Sequence, residues 1–299
     1  MITPVLFLLA TILPPSIDDW KRTGAANTEL PQMNVVREFG FLESDGATYE
    51  NGAKKFKLAV HRMRDVTGAV ALEQALQSPE RKVFRHQNYV FQTLEGTAPR
   101  GAIDAFLFPT LKVDRSATPT IGGYLPRKGR QVGSERLILG PESLRAFEPR
   151  IPVVAAGFDF AAEVQIARYN AGVLAVLHYP NHAIARQQLA LLEKIPSAVV
   201  VRSGPVVNVV LPAEAGKPLD PQAARELATQ VEYKATVIMD KAPEKPEPNP
   251  GEFLIGVFQL CAILLGLCLA LGLIFAGVRV YGSRWSGKKE EDGMTSLGI

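Results

Sequence analysis

The sequence predicts an α+β chain, with two tandem repeats of antiparallel sheet and packed helices followed by a single C-terminal transmembrane helix. Three observations predict it. Short segments that alternate apolar and polar residues are followed by segments whose apolar residues recur at three and four, the signatures of half-buried strands and amphipathic helices. That succession occurs twice, on either side of a stretch rich in Pro and Gly. Finally, Phe253 to Val278, FLIGVFQLCAILLGLCLALGLIFAGV, carries no charge over 26 positions. As a helix it reaches ~39 Å, enough to cross a ~30 Å hydrocarbon core, and it satisfies its own backbone in lipid.

In chain order, Met1 to Leu13 (MITPVLFLLATIL) is a signal-like apolar segment, too short to span and ended by Pro14-Pro15. A first buried strand is the alternative reading. An irregular leader follows, and the first repeat is assigned to residues 14–116. Its first legible strand is Lys54 to Arg64, where Phe56, Leu58 and Val60 alternate with Lys57, Ala59 and His61. Asp65 caps a helix over Val66 to Leu76. Lys82 to Leu94 reads as two strands turning at Gln87-Asn88, and a second helix runs from Arg100 to Phe108, stopped by Pro109. Residues 117–134, with two prolines and four glycines, are the connection.

The second repeat, 135–239, contains a short helix after Gly140-Pro141 and a hairpin of Val164 to Tyr169 with Val173 to Tyr179 about Asn170-Ala171-Gly172. Asn181 caps the next helix. Ala198 to Leu211 makes two strands about Ser203-Gly204, and Asp220-Pro221 opens a last helix. The repeat is read from recurrence. Leu58-Ala59-Val60 returns as Leu174-Ala175-Val176, an offset of 116 that also pairs Asp65 with Asn181, Leu76 with Leu192 and Val83 with Val199. Glu43, Ala47 and Tyr49 return as Glu163, Ala167 and Tyr169 at an offset of 120, which a second hairpin shorter by two residues in each strand explains.

Residues 240–252 hold four alternating prolines and read as an extended stalk. The membrane helix is 253–278 and the tail 279–299. Arg279, Arg284, Lys288 and Lys289 follow the helix, whereas the preceding flank is acidic. The positive-inside rule therefore predicts a single-pass membrane protein with the C-terminus cytoplasmic and the bulk of the chain outside. The lipid bilayer is thus its first partner. In the helix, Ala262, Gly266 and Ala270 are four apart, as are Gly272 and Ala276. Small residues at that spacing admit close helix approach and hence a homodimer.

The 299 residues carry 33 Lys and Arg against 30 Asp and Glu, a balance that offers no electrostatic footprint for nucleic acid. Both cysteines, Cys261 and Cys268, fall in the membrane helix, so the outer region is held by packing and has no thiolate chemistry. The signal-like start leading to LPPSIDDW (Leu13 to Trp20), SERLILGPESL (Ser134 to Leu144), the RSGP of Arg202 to Pro205 and the final helix together resemble a family of exported, membrane-anchored bacterial proteins of unknown function. The resemblance implies fold and location, a bacterial cytoplasmic (inner) membrane, and no activity.

No phosphate-binding Gly-rich loop, nucleophile elbow, zincin motif or dinucleotide fingerprint occurs, so no catalytic residue, metal or cofactor is assigned. Two sets of candidate ligand-binding residues remain. His178 and His182 have the four-residue spacing of a helical metal pair, but Pro180 and Asn181 between them place a strand–helix junction there instead. Arg62 and Arg64 precede a helix start and could hold an anion, or form a solvated strand face. The reading is a membrane-anchored extracytoplasmic protein that binds an unknown protein or ligand. An exported enzyme with a dispersed His/Arg site is the alternative.

Overall fold

The first sheet begins well before its first legible strand. In the computed structural model, which describes residues 11–78, 80–233 and 250–285, the expected irregular leader forms β1 (Ser16–Ile17), β2 (Trp20–Ala25), α1 (Met33–Glu38) and β3 (Phe41–Asn51). β3 escapes a pattern search because its buried Ala47 and Tyr49 sit among Glu, Ser, Asp and Gly. Long pairing with β4 (Lys54–Met63) makes it a strand. Asp65 then caps α2 (Val66–Leu76), its Oδ1 accepting from the Gly68 N–H at 2.8 Å. The hairpin of β5 (Lys82–His86) and β6 (Tyr89–Glu95) turns at Gln87-Asn88, and β6 inserts beside β4. The antiparallel order is β1-β2-β3-β4-β6-β5. The single helix expected at Arg100 to Phe108 is a composite: α3 (Arg100–Ala102), a π turn at Ile103–Leu107 and a 3-10 turn at Phe108–Thr110 that contains Pro109.

The second sheet follows a similar script. β7 (Arg136–Ile138), α4 (Pro141–Phe147) and α5 (Val153–Ala156) lead to the hairpin of β8 (Glu163–Tyr169) and β9 (Gly172–His178). Next come α6 (His182–Leu192), the hairpin of β10 (Val199–Ser203) and β11 (Val206–Leu211), and α7 (Pro221–Thr229). The order is β10-β11-β9-β8-β7, again antiparallel.

The paths β3-β4-β6-β5 and β8-β9-β11-β10 coincide, and so do their registers. Glu43 pairs with Arg62 and Ala47 with Leu58; Glu163 pairs with His178 and Ala167 with Leu174. Beyond Tyr49–Phe56 the first hairpin continues for Glu50–Lys55 and Asn51–Lys54, whereas the second turns at Tyr169–Gly172. α2 packs on the face bearing Met63 and Val90, and α6 on the face bearing Tyr179 and Val207. One residue of the expected alignment is corrected. Val83 and Val200 oppose Gln92 and Val209, the partners of Ala59 and Ala175, so Val83 corresponds to Val200 and not to Val199. A one-residue slip reverses the face, and Val199 indeed packs in the α7 cluster while Val200 packs in the α6 cluster.

The two sheets share their packing. Leu137 of β7 joins Ala69, Leu72 and Leu76 of α2 in one core, and Gln165 of β8 donates to Gln74 of α2 at 3.1 Å. The connection at 117–134 buries Ile121 in this core and Leu125 in the α7 cluster, so it does not divide the sheets into independent bodies. The described residues up to 233 form one compact unit and those from 250 another. At the start, Leu13 is fully buried; its N–H donates to Asp45 Oδ2 at 2.9 Å and its carbonyl accepts from Arg22 at 2.8 Å. Leu13 therefore belongs to the folded unit, while the rest of the signal-like segment up to Ala10 lies outside the described residues. The C-terminal helix α8 (Pro250–Trp285) takes in the last residues assigned to the stalk, whose remainder also lies outside the described residues. Within α8, Leu254–Arg279 is long and apolar enough to cross a membrane.

Candidate functional site

The four predicted ligand-binding residues fall at the ends of two central strands. Arg62, on β4, donates to Glu43 Oε1 at 2.7 Å, across the sheet. Arg64 projects into solvent, its side chain 73% exposed, with Nε 3.4 Å from Asp65 Oδ2. The N-terminus of α2 beside them already faces two carboxylates, because Asp114 Oδ2 accepts from the Val66 N–H at 3.1 Å in addition to the Asp65 cap. An added anion there meets like charge.

His178 ends β9 and His182 begins α6, the strand–helix junction expected from Pro180 and Asn181. His178 Nδ1 lies 3.8 Å from Glu163 Oε2, and its ring neighbours those of Tyr124 and Tyr233, with centroids 6.2 and 6.3 Å away. The contact with His178 holds the Glu163 carboxyl below its usual range against the opposing effect of burial. His178 is the register equivalent of Arg62, and Glu163 of Glu43, so each hairpin ends on a base–glutamate pair. No hydrogen bond or ion pair among the described residues joins His178 to His182 or the histidines to the arginines. No group of three or more His, Cys, Asp or Glu among them is placed to hold a metal.

A different constellation has the shape of a binding site. A cleft of about 1000 Å³ opens between the end of α2, the edge strand β5, the C-terminal end of α4 and the β7–β8 edge of the second sheet. Its charged lining is Arg81, Lys82, Arg136 and Arg168 against the single carboxylate of Glu148. Glu148 is already engaged: Arg150 Nη2 donates to its Oε2 at 2.7 Å. The other nearby acid, Glu135, is held by Arg130 at 2.9 Å. Among the described residues, the four lining cations have no carboxylate within 4.0 Å. Arg136 is the half-buried member. Its Nη1 donates to the carbonyls of Gly133 and Glu135 at 2.9 and 2.6 Å, and its guanidinium lies 5.7 Å from the Phe147 ring centre. Burial lowers its pKa; Glu135 opposes this, and the like charge of Arg168 adds to it. Val83, Phe147, Ile166 and Val173 supply apolar wall.

Neither the arginines of this cleft nor its shape can be read from the sequence. The single signal is GRQVGSER (Gly129 to Arg136), basic but with no spacing that points to a site, and in pattern only connection and turn. On α8, Ala262, Gly266, Ala270, Gly272 and Ala276 are open in the single chain, and a Cβ at Gly266 or Gly272 would meet nothing within 4 Å. No family model, curated protein or solved structure matches the chain.

Proposed function

We propose that the chain is a single-pass protein of a bacterial cytoplasmic membrane whose folded unit stands on the extracytoplasmic side and binds a ligand there, without catalysis. The observation that carries the binding role is the cleft between β5 and β7, an open concavity with several charged side chains that have no counter-ion among the described residues and a partly apolar wall. The membrane role is supported by Leu254–Arg279, and the orientation by the basic residues that follow it. Export requires a leading signal. The signal-like segment is the candidate, and because Leu13 at its end is buried in the folded unit, cleavage after Leu13 would remove a core side chain.

The shared strand path, registers and helix faces support reading the folded unit as an internal duplication, in keeping with the resemblance to exported, membrane-anchored bacterial proteins. The open small-residue positions of α8 support pairing of two copies in the bilayer. The binding role is tested on the full chain in detergent by thermal unfolding against a panel of charged and neutral small molecules. A ligand that binds only the folded state raises the midpoint as its concentration rises. Failure of every compound to move the midpoint, or turnover of any of them, contradicts the proposal.

A further inference from the structure

We propose that the cleft between β5 and β7 is a site for an organic anion, a carboxylate or phosphate group on an apolar body, with Arg136 and Arg168 gripping the charged group. The inference rests on the binding role proposed above and names the ligand class for that same cleft. Four cations converge on one concavity whose only lining carboxylate among the described residues is bound by Arg150. Leaving guanidiniums of like charge close together, one of them half-buried, is costly unless an anion completes the arrangement. Glu135, which could have served, is turned to Arg130.

Arginine presents five N–H groups in a planar fork, which suits the paired oxygens of carboxylate and phosphate. Arg136 uses only Nη1 on backbone carbonyls, and these bonds fix the guanidinium beside Phe147 with its other donors uncommitted among the described residues. Arg168 spends a single long bond, Nη1 to the Ala213 carbonyl at 3.4 Å. Arg81 and Lys82 lie at the β5 side of the cleft and add positive potential. The apolar wall of Val83, Phe147, Ile166 and Val173 gives no partner to a bare inorganic ion, but it suits the body of an organic one.

Isothermal titration of the full chain in nanodiscs of uncharged lipid tests this with four probes: hexyl phosphate, hexanoate, inorganic phosphate and hexanol. At least one of the two alkyl anions should bind, more tightly than inorganic phosphate and far more tightly than hexanol, and which one binds identifies the charged group. Arg168→Gln should weaken that binding about 10- to 100-fold, the loss of a charge-assisted hydrogen bond. Arg186→Gln, on an exposed arginine of α6 outside the cleft, should leave it unchanged. Because Arg168 is exposed, its variant should keep the wild-type urea midpoint; if it does not, Arg81→Gln at the opposite wall serves, with a weakening of the same sign. The assignment is overturned if neither alkyl anion binds, if inorganic phosphate binds as tightly, or if cleft variants with wild-type midpoints bind like wild type. Tight binding of hexanol unaffected by these substitutions would also overturn it, yet would leave the broader binding role standing.

Discussion

His61 lies fully buried on β4 with Nδ1 2.8 Å from Ser44 Oγ and, among the described residues, no partner for Nε2. Burial lowers its pKa from 6.5 to about 4. The folded protein therefore holds it neutral while the unfolded chain protonates it first, so its contribution to stability is complete above pH 6.5 and is lost as pH falls toward 4. At pH 4.5 the loss should be about 2–3 kcal/mol. Carboxylates titrate over some of the same range, so the informative quantity is a difference. In urea unfolding, His61→Gln should lose less stability than wild type between pH 7 and 4.5 by about that amount, and parallel pH curves would contradict this. Gly68 offers a test whose sign is not obvious from sequence. Alanine in a helix is favoured over glycine by ~1 kcal/mol. At this site, however, a Cβ would sit 1.9 Å from the Phe39 carbonyl oxygen. Overpacking of that kind costs about 1–3 kcal/mol or more. Gly68→Ala should therefore lower the urea midpoint, and a raised midpoint would show that α1 and α2 do not approach so closely.

At the scale of elements, the link between the halves is a helix cap made in trans. Glu38, at the end of α1, accepts from the N–H groups of Glu142 and Ser143 in the first turn of α4 at 2.7 and 2.9 Å, and from the Ser143 hydroxyl. Gly140 gives it room, since a Cβ there would lie 2.6 Å from Glu38 Oε2. Glu38→Ala should cost about 1–3 kcal/mol by stranding these donors, read as a lowered urea midpoint, and Gly140→Ala should be destabilising through the same contact. The sequence marks Gly140-Pro141 as a helix start but cannot supply the cap, which comes from a residue more than a hundred positions earlier. The same limit explains the other gaps. Strands with their own alternation or turn chemistry, β4 to β6 and β8 to β11, are legible, as are the caps Asp65, Asn181 and Asp220. β3 is not, because its apolar content is low and its pairing is long-range. Val83 aligns with Val199 in sequence because β-branched runs match at either of two adjacent offsets; only cross-strand pairing tells them apart.

At the scale of the molecule, the shared core of α2 and β7 predicts that the folded unit opens as one cooperative body. Hydrogen exchange in urea should show the amides of β4 and β9 opening at one common midpoint. Two separate midpoints would mean that each sheet folds alone. The cleft is invisible in the sequence for a related reason: the adjacent Arg81 and Lys82 at the start of β5 have no spacing relation to Arg136 of β7 or Arg168 of β8. The C-terminal apolar helix, by contrast, is a local property of composition, and its span is legible to within a residue at each end. The proposed function depends above all on the folded unit facing out and the tail facing in. The direct measurement replaces Cys261 and Cys268 by serine and introduces a single cysteine, Lys128→Cys in the folded unit or Ser286→Cys after the helix. Intact spheroplasts are then treated with a membrane-impermeant maleimide. Lys128→Cys should be labelled in intact spheroplasts and Ser286→Cys only after permeabilisation; the reverse pattern would contradict the proposed orientation.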